Sequence, residues 1–123
     1  FERIVLSFIL GNGDAHLKNY SISYKEKDIR LTPAYDIVCS KLVIPEEEDS
    51  AITINGKKSN LKRSDFDKLA DYFDIPIKTR YEKFENKFEV MWKIIGSSRI
   101  DKEKQEQFIE IVKDRLSRLE LRE

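Results

Sequence analysis

The apolar residues at the start of the chain recur at the spacing of one helix face. Residues 2–10 carry them three and four positions apart, which predicts an amphipathic helix. The residues on this face are Phe1, Ile4, Val5 and Phe8. Ile9 and Leu10 widen the apolar surface, so we expect this helix to be buried on most sides.

A period of two replaces the helical spacing at residues 20–32. If Tyr24 pairs with Ile29, then Ile22 lies opposite Leu31, and the apolar side chains of both strands share one face. A shift of one residue would mix apolar and polar side chains on each face, so the pattern itself selects this register. We therefore predict an antiparallel hairpin with a polar turn at its tip.

The open end of this hairpin is predicted to bring together polar residues that are distant in the sequence. The register places Ala34 opposite Asn19, so Asp36 lies only two residues beyond that pair. At roughly 3.3 Å per residue, Asn19 and Asp36 are then within about 10 Å of each other. Asp14 lies in the preceding loop, where two glycines allow a sharp turn. Two carboxylates and one amide are therefore expected to converge here.

The second half of the chain returns to helical spacing. Apolar residues step by threes and fours through residues 64–73, 76–95 and 101–119, which predicts three helices. Ser64 is the expected N-cap of the first helix, and Asp101 is the expected N-cap of the last. The two later helices, each of about 20 residues, are long enough to pack as an antiparallel pair.

The segment between the hairpin and these helices contains an acidic run. Glu46–Asp49 is four consecutive acidic residues, and composition alone favours a solvated loop. Residues 51–54 are predicted to form a short strand, and Asn55-Gly56 is a turn signal. Taken together, the elements predict one α+β domain, mainly α-helical, over residues 1–123.

Composition narrows the class of protein. The chain has 123 residues, of which 40% are hydrophobic and 37% charged, as is typical of a globular domain. Its 23 basic and 23 acidic residues cancel, so no nucleic-acid partner held by bulk charge is expected. The single Cys39 cannot form an internal disulfide, and no segment resembles a signal peptide or a membrane span. We expect a cytoplasmic protein with no membrane partner.

The loop before the hairpin carries the candidate chemistry. Asp14 and Asn19 offer a carboxylate and an amide, Lys18 a positive charge, and Asp36 a second carboxylate. Such a set suits polyvalent charge, above all a phosphate chain with Mg²⁺, which prefers oxygen ligands. Asp14 judged alone would be a turn residue, but its spacing to Asn19 favours a site. His16 is expected to position the loop by hydrogen bonds, because a transition-metal site would need further His or Cys ligands.

These residues also carry a family resemblance. Asp14-x-x-x-x-Asn19 has the spacing of the protein-kinase catalytic loop. Residues 11–19, followed by residues 31–36, closely resemble the C-terminal lobe of the HipA-type serine/threonine kinases, the toxins of bacterial toxin–antitoxin pairs. Residues 54–57 are similar to that family as well.

The resemblance implies a kinase-like lobe in which the catalytic loop and hairpin pack on a helical bundle, with ATP and Mg²⁺ as cofactors. Asp14 would be the catalytic base, and Lys18 would neutralise the transferring charge. His16, Asn19 and Asp36 would bind the cofactor, the last two as metal ligands. The substrate would be a Ser or Thr of a protein, typically an aminoacyl-tRNA synthetase, and an antitoxin would be the partner.

The sequence lacks two features of a complete protein kinase. No glycine-rich loop and no strand lysine precede Asp14, so we expect the ATP-covering lobe to lie outside these 123 residues and the fragment to be inactive alone. Two other interpretations stay open. A metal-dependent phosphohydrolase or nuclease using Asp14, His16 and Asp36 would need no second lobe. In a non-catalytic helical interaction module, the polar loop would only cap the fold.

Overall fold

Helices dominate the structure, and one β-hairpin interrupts them. The computed structural model describes residues 1–121. Within these residues, the α-helices are α1 (Glu2–Ile9), α2 (Arg63–Tyr72), α3 (Phe88–Gly96) and α4 (Lys102–Arg118), and the strands are β1 (Ile22–Lys25) and β2 (Asp28–Leu31). Short 3-10 turns lie at Leu17–Asn19, Ser40–Leu42 and Ile77–Thr79. The predicted fold class, α+β and mainly α-helical, is confirmed.

The hairpin has the predicted register but not a buried face. β1 and β2 are antiparallel, with Tyr24 opposite Ile29 and Ile22 opposite Leu31. Their shared apolar face is open, because the exposed fractions of these four residues run from 55% to 74%. The alternation therefore predicted the strand pairing correctly, whereas nothing within residues 1–121 covers the apolar face.

The core is formed by residues of all four α-helices together with the segments that connect them. On α1, Val5, Phe8 and Ile9 are buried, as the apolar stripe predicted. The Phe8 ring meets Phe66 of α2, with the ring centroids 4.9 Å apart. The other buried hydrophobic residues are Ile54, Leu61, Ala70, Tyr81, Phe84, Phe88, Ile95, Val112, Leu116, Leu119 and Leu121. Because α1 is packed in this core, the position of the first residue of the following loop is fixed.

The predicted long helix over residues 76–95 is wrong. A 3-10 turn over Ile77–Thr79 is followed by irregular backbone, and α3 begins only at Phe88 and has 9 residues. The reason is a tertiary contact: the buried Arg80 guanidinium turns back to α2 and donates a hydrogen bond to Asp67 over 3.3 Å. Buried residues keep recurring by threes and fours through this turn, so their spacing alone did not distinguish it from a helix.

α2 begins two residues earlier than predicted, and Ser64 is not its cap. Arg63 is the first helical residue, and Lys62 occupies the N-cap position. The Asp65 carboxylate accepts a hydrogen bond from the Lys62 amide over 3.0 Å, which ties down the start of the helix. Phe73, the last apolar residue of the spacing over residues 64–73, is 57% exposed because it lies just past the end of α2.

The short strand predicted over residues 51–54 is absent. A single isolated bridge joins Ile54 to Lys57 around the Asn55-Gly56 turn. Both turn residues have positive φ values, 49° for Asn55 and 78° for Gly56, so the turn signal is confirmed.

The acidic run Glu46–Asp49 is not solvated throughout, contrary to the prediction. Its last residue, Asp49, is 8% exposed and accepts a hydrogen bond from the Leu61 amide over 2.9 Å. The same carboxylate pairs with Arg115 and Arg118 of α4. This contact anchors the segment after the hairpin to the last helix.

α4 agrees closely with its prediction. The Asp101 side chain accepts a hydrogen bond from the Lys104 amide over 2.9 Å, as expected of an N-cap. Val112 and Leu116 face the core, and the helix contacts α1 and α3. Neither α4 nor any other helix within residues 1–121 has the length and apolar character needed to cross a membrane.

Candidate active site

The loop of the candidate site begins at a glycine that the backbone requires. Gly11 has a φ of +67°, and its amide donates to the Phe8 carbonyl over 3.1 Å, which ends α1. A Cβ atom on Gly11 would lie 2.7 Å from Cγ2 of Ile111 on α4. The glycine therefore serves both the turn and the close approach of α4.

The acidic run Glu46–Asp49 also contacts this loop. Glu47 Oε2 accepts hydrogen bonds from the Gly13 amide (3.2 Å) and from the Ser40 hydroxyl (2.6 Å). A Cβ atom on Gly13 would lie 2.3 Å from the Glu48 carbonyl oxygen, so only glycine fits there. Composition assigned Glu47 to solvent, and no local signal in the sequence indicates its role in holding the loop.

Asp14 and His16 are in contact on the exposed side of the loop. His16 Nε2 lies 3.2 Å from Asp14 Oδ1, with the side chains 50% and 57% exposed, respectively. The His16 amide also donates to the Asp14 carbonyl over 2.8 Å. The contact with His16 orients one carboxylate oxygen of Asp14, while the carboxylate as a whole stays accessible.

Asn19 and Asp36 meet at the open end of the hairpin, as the register predicted. Asn19 Nδ2 donates a hydrogen bond to Asp36 Oδ2 over 2.8 Å, and Asn19 Oδ1 accepts one from the His16 amide over 3.1 Å. Asp36 has a φ of +56°, a left-handed conformation that is unfavourable for residues other than glycine. The other carboxylate oxygen of Asp36 has no hydrogen-bond partner within residues 1–121.

Asn12 is a site residue that the sequence reasoning missed. It is only 3% exposed. Its Nδ2 donates to the Asp36 main-chain carbonyl over 3.2 Å, and its Oδ1 accepts from the Asp14 amide over 3.3 Å. One side chain therefore joins the loop to the segment that carries Asp36. The available signal, an amide residue between two glycines, marks a turn but does not reveal this bridge.

Lys18 joins the site through its backbone. Its carbonyl accepts a hydrogen bond from the Tyr35 hydroxyl over 3.0 Å, and that hydroxyl lies 2.6 Å from Ser21 Oγ. The Lys18 ammonium forms no ion pair within residues 1–121, and the side chain lines an open groove with His16 and Lys58. The structure thus does not bring this charge into contact with either site carboxylate.

The donor set fits a hard divalent cation better than a transition metal. Asn19 and Asp36 present an amide and a carboxylate in contact, and oxygen ligands are those that Mg²⁺ prefers. Within the described residues, no cluster of three or more His, Cys, Asp and Glu side chains could hold a metal ion. The cavity beside the pair, which Arg3 and Asn12 also line, measures about 20 Å³, enough for an ion or a water molecule but not for a nucleotide.

Comparison with known proteins gives the sequence relationships. A profile of the family described as HipA-like C-terminal domain matches residues 1–116. Two Sinorhizobium fredii proteins, named "Putative kinase Y4dM" and "Putative kinase Y4mE", are 38% identical over 58 residues and 32% identical over 66 residues. A Haemophilus influenzae protein named "Putative kinase" is 46% identical over 39 residues. These alignments cover 46%, 54% and 31% of this chain, but only 14%, 16% and 11% of those relatives, respectively.

A solved structure shares the fold. A chain of the Shewanella oneidensis MR-1 toxin–antitoxin complex of HipA, HipB and operator DNA matches with a TM-score of 0.76 and 18% identity. The match covers 96% of this chain and 30% of that one. At this identity the structural likeness shows the fold, whereas the profile match extends over nearly the whole sequence and shows the family. This chain belongs to the HipA-like C-terminal domain family.

Proposed function

We propose that this chain is the catalytic lobe of a serine/threonine protein kinase that uses Mg²⁺-ATP. The observation that carries the proposal is the 2.8 Å contact between Asn19 and Asp36. Asp14 lies five residues before Asn19 in the same hydrogen-bonded loop, at the spacing of a kinase catalytic loop. Membership of the family and the names of the relatives support this activity.

Asp14 is assigned the role of catalytic base. Its carboxylate would orient a Ser or Thr hydroxyl and accept its proton, which requires hydrogen-bond reach of about 2.6–3.2 Å. Exposure of the Asp14 side chain leaves room for a protein substrate, and the contact from His16 restricts its orientation. Lys18, on the exposed part of the same loop, would add positive charge near the transferring group.

Asn19 and Asp36 are assigned to hold Mg²⁺ through their side-chain oxygens. When bound, Mg²⁺-ATP supplies the phosphoryl group and much of the charge neutralisation. The contribution of this chain would be positional: Asn19 lies beside Asp36, and Asp14 belongs to the same hydrogen-bonded loop as Asn19. Fixed geometry of this kind is the main source of rate enhancement in phosphoryl transfer.

The proposal includes a further lobe that covers the nucleotide. The cavity of about 20 Å³ at Asn19 and Asp36 is far smaller than ATP. The chain carries no glycine-rich loop, and its matches span at most 16% of the curated relatives. We therefore propose that residues 1–123 transfer phosphate only when they are joined to such a lobe.

A protein substrate and an antitoxin partner complete the proposal. The family resemblance favours an aminoacyl-tRNA synthetase as the substrate. The solved complex that shares this fold contains HipB, which supports a protein antitoxin as the partner.

A phosphotransfer assay with radiolabelled ATP tests the proposed activity. It compares residues 1–123 alone, the protein joined to its nucleotide-covering lobe, and the joined Asp14→Ala variant. Asp28→Ala is the matched control, because Asp28 is 58% exposed against 57% for Asp14 and, within residues 1–121, pairs only with Arg30 of the hairpin. We expect Ser or Thr phosphorylation by the joined protein and by Asp28→Ala, and none by the other two. ATP binding should persist in Asp14→Ala, since Asp14 acts on the hydroxyl.

Other outcomes favour the other candidate functions. Phosphorylation by residues 1–123 alone, or by Asp14→Ala, would contradict the proposal. Phosphoester hydrolysis by residues 1–123 alone would favour a metal-dependent phosphohydrolase using Asp14, His16 and Asp36. Partner binding that survives replacement of Asp14, Asn19 and Asp36 by Ala, without any phosphotransfer, would favour an interaction module.

A further inference from the structure

Asn12 bonds to both halves of the candidate site. Among the buried polar side chains within residues 1–121, only Asn12 contacts both the Asp14 loop and the Asp36 segment. We infer that Asn12 is a positioning residue that sets the placement of Asp14 relative to Asp36. The catalytic consequence rests on the proposed function, whereas the geometry does not.

The two contacts of Asn12 are to main-chain atoms. Its Oδ1 accepts from the Asp14 amide and its Nδ2 donates to the Asp36 carbonyl, at 3.3 and 3.2 Å. Because neither contact uses a carboxylate, both acidic groups remain available for a substrate or an ion. Asn12 thus fixes the backbone positions of Asp14 and Asp36 without using the carboxylate of either residue.

The conformation of Asp36 explains why such a contact is needed. Its φ of +56° is unfavourable for a residue with a side chain, so surrounding contacts have to hold it there. Asn12 holds the carbonyl of Asp36, and Asn19 holds its carboxylate over 2.8 Å. A cation bound by Asn19 and Asp36 would weaken the hydrogen bond between these two side chains. The hydrogen bond from Asn12 to the Asp36 carbonyl would then still restrain Asp36.

Asparagine is suited to this position by its chemistry. The bridge needs one donor and one acceptor on a short planar group, which an amide provides. Aspartate has nearly the same shape and keeps the acceptor for the Asp14 amide, but it cannot donate to the Asp36 carbonyl. Leucine has a similar size and supplies neither contact. Asn12→Asp therefore removes only the hydrogen bond to the Asp36 carbonyl, whereas Asn12→Leu removes that bond and the one from the Asp14 amide.

The experiment uses the joined protein and measures properties other than turnover. The first readout is hydrogen exchange of the Asp14 amide, and the second is protease cleavage within residues 34–38, both without metal or nucleotide. The third is the Mg²⁺ concentration for half-maximal binding of a fluorescent ATP analogue. Leu69→Ala is the control, because it weakens the helical core away from the site.

If Asn12 connects Asp14 to Asp36, the variants should differ in which of these measurements change. The Asp14 amide should stay protected in Asn12→Asp and lose protection in Asn12→Leu. Cleavage within residues 34–38 should accelerate in both variants. The Mg²⁺ midpoint should rise about 10–100-fold in both, which is the usual effect of removing a group that orients a metal ligand. Leu69→Ala should lower the thermal midpoint without any of these changes. If Asn12→Leu does not fold, Asn12→Ala replaces it.

The failure of this inference is distinguishable from the failure of the proposed function. Unchanged exchange and cleavage in both Asn12 variants would overturn the inference, and so would the same changes in Leu69→Ala. If the wild-type protein transfers no phosphate, the proposed function falls. The two metal-free readouts would then still decide whether Asn12 positions Asp14 and Asp36.

Discussion

Two carboxylates of this domain, Asp49 and Asp14, show opposite uses of the same side chain. Asp49 is 8% exposed, and both of its oxygens accept hydrogen bonds, from Leu61, Arg115 and Arg118. The Asp14 side chain is 57% exposed and contacts one histidine. A buried acid with all its acceptor positions used stabilises the fold, because removing it takes the close charge partner from buried Arg115. An exposed acid with free acceptor positions remains available for chemistry.

One segment connects these two environments. Residues 36–49 begin at the site with Asp36 and end at the anchor with Asp49, and Glu47 holds the Gly13 amide between them. Stability and candidate chemistry therefore lie at different ends of the same stretch of chain. Substitutions at the two ends should separate these effects.

The largest effect on stability is expected at the anchor. Asp49→Ala should lower the free energy of unfolding by about 3–5 kcal/mol, because buried Arg115 loses its close partner and, within residues 1–121, keeps only the 3.8 Å ion pair with the exposed Asp114. Urea denaturation measures this change. Asp114→Ala is the matched control, since Asp114 is 60% exposed and lies 3.4 Å from the same Arg118. The control should cost less than about 1 kcal/mol. Similar losses in the two variants would contradict the comparison.

An effect of similar size is expected in the helical core. Phe88→Ala should cost about 3–5 kcal/mol, because Phe88 is 5% exposed and its loss leaves a cavity. Leu69→Ala should cost closer to about 2 kcal/mol, since Leu69 is only partly buried. Ile77, 76% exposed, provides a control that should change stability by less than about 0.5 kcal/mol. A large loss in Ile77→Ala would instead favour the long helix predicted over residues 76–95.

A moderate, pH-dependent effect is expected at Asp65, a buried acid that resembles Asp49. Burial alone would raise the pKa of the Asp65 carboxyl, but hydrogen bonds from Asn55, Lys57 and the Lys62 amide outweigh it and lower the pKa. A pKa lowered by folding gives stabilisation that is present above the unfolded pKa, about 3.9, and lost as pH falls through the folded value.

Asp65→Asn should therefore be less stable than the wild type at neutral pH, by about 1–3 kcal/mol. The difference should shrink on acidification, because the wild type loses its carboxylate while the variant has none to lose. Urea midpoints at about pH 7 and about pH 3 measure this. A difference that grows at low pH would contradict the assignment.

The smallest effect on stability is expected at the candidate catalytic base. Asp14→Ala should change the free energy of unfolding by less than about 0.5 kcal/mol, because the side chain is exposed and His16 is its only charged or hydrogen-bonding partner within residues 1–121. The same denaturation assay measures it. A loss above about 2 kcal/mol would show that Asp14 holds the fold, and the contrast with Asp49 would disappear.

The sequence by itself determined the elements that depend on local rules. The apolar stripe of α1, the Asp101 cap of α4 and the strand register are all fixed within one or two neighbouring elements. The register also sufficed to bring Asn19 beside Asp36, because antiparallel pairing converts sequence positions directly into distances. These features were predictable because each follows from spacing within a short stretch of chain.

Only the tertiary structure decided the rest. The Asn12–Asp36, Gly13–Glu47 and Asp49–Arg115 contacts join residues 24, 34 and 66 positions apart. Arg80 likewise ends a helical period by reaching back to Asp67 on α2. Whether a polar residue is solvated, buried in an ion pair or used as a bridge depends on which distant group meets it after the core has formed. The spacing of residues along a short stretch of sequence cannot identify that distant group.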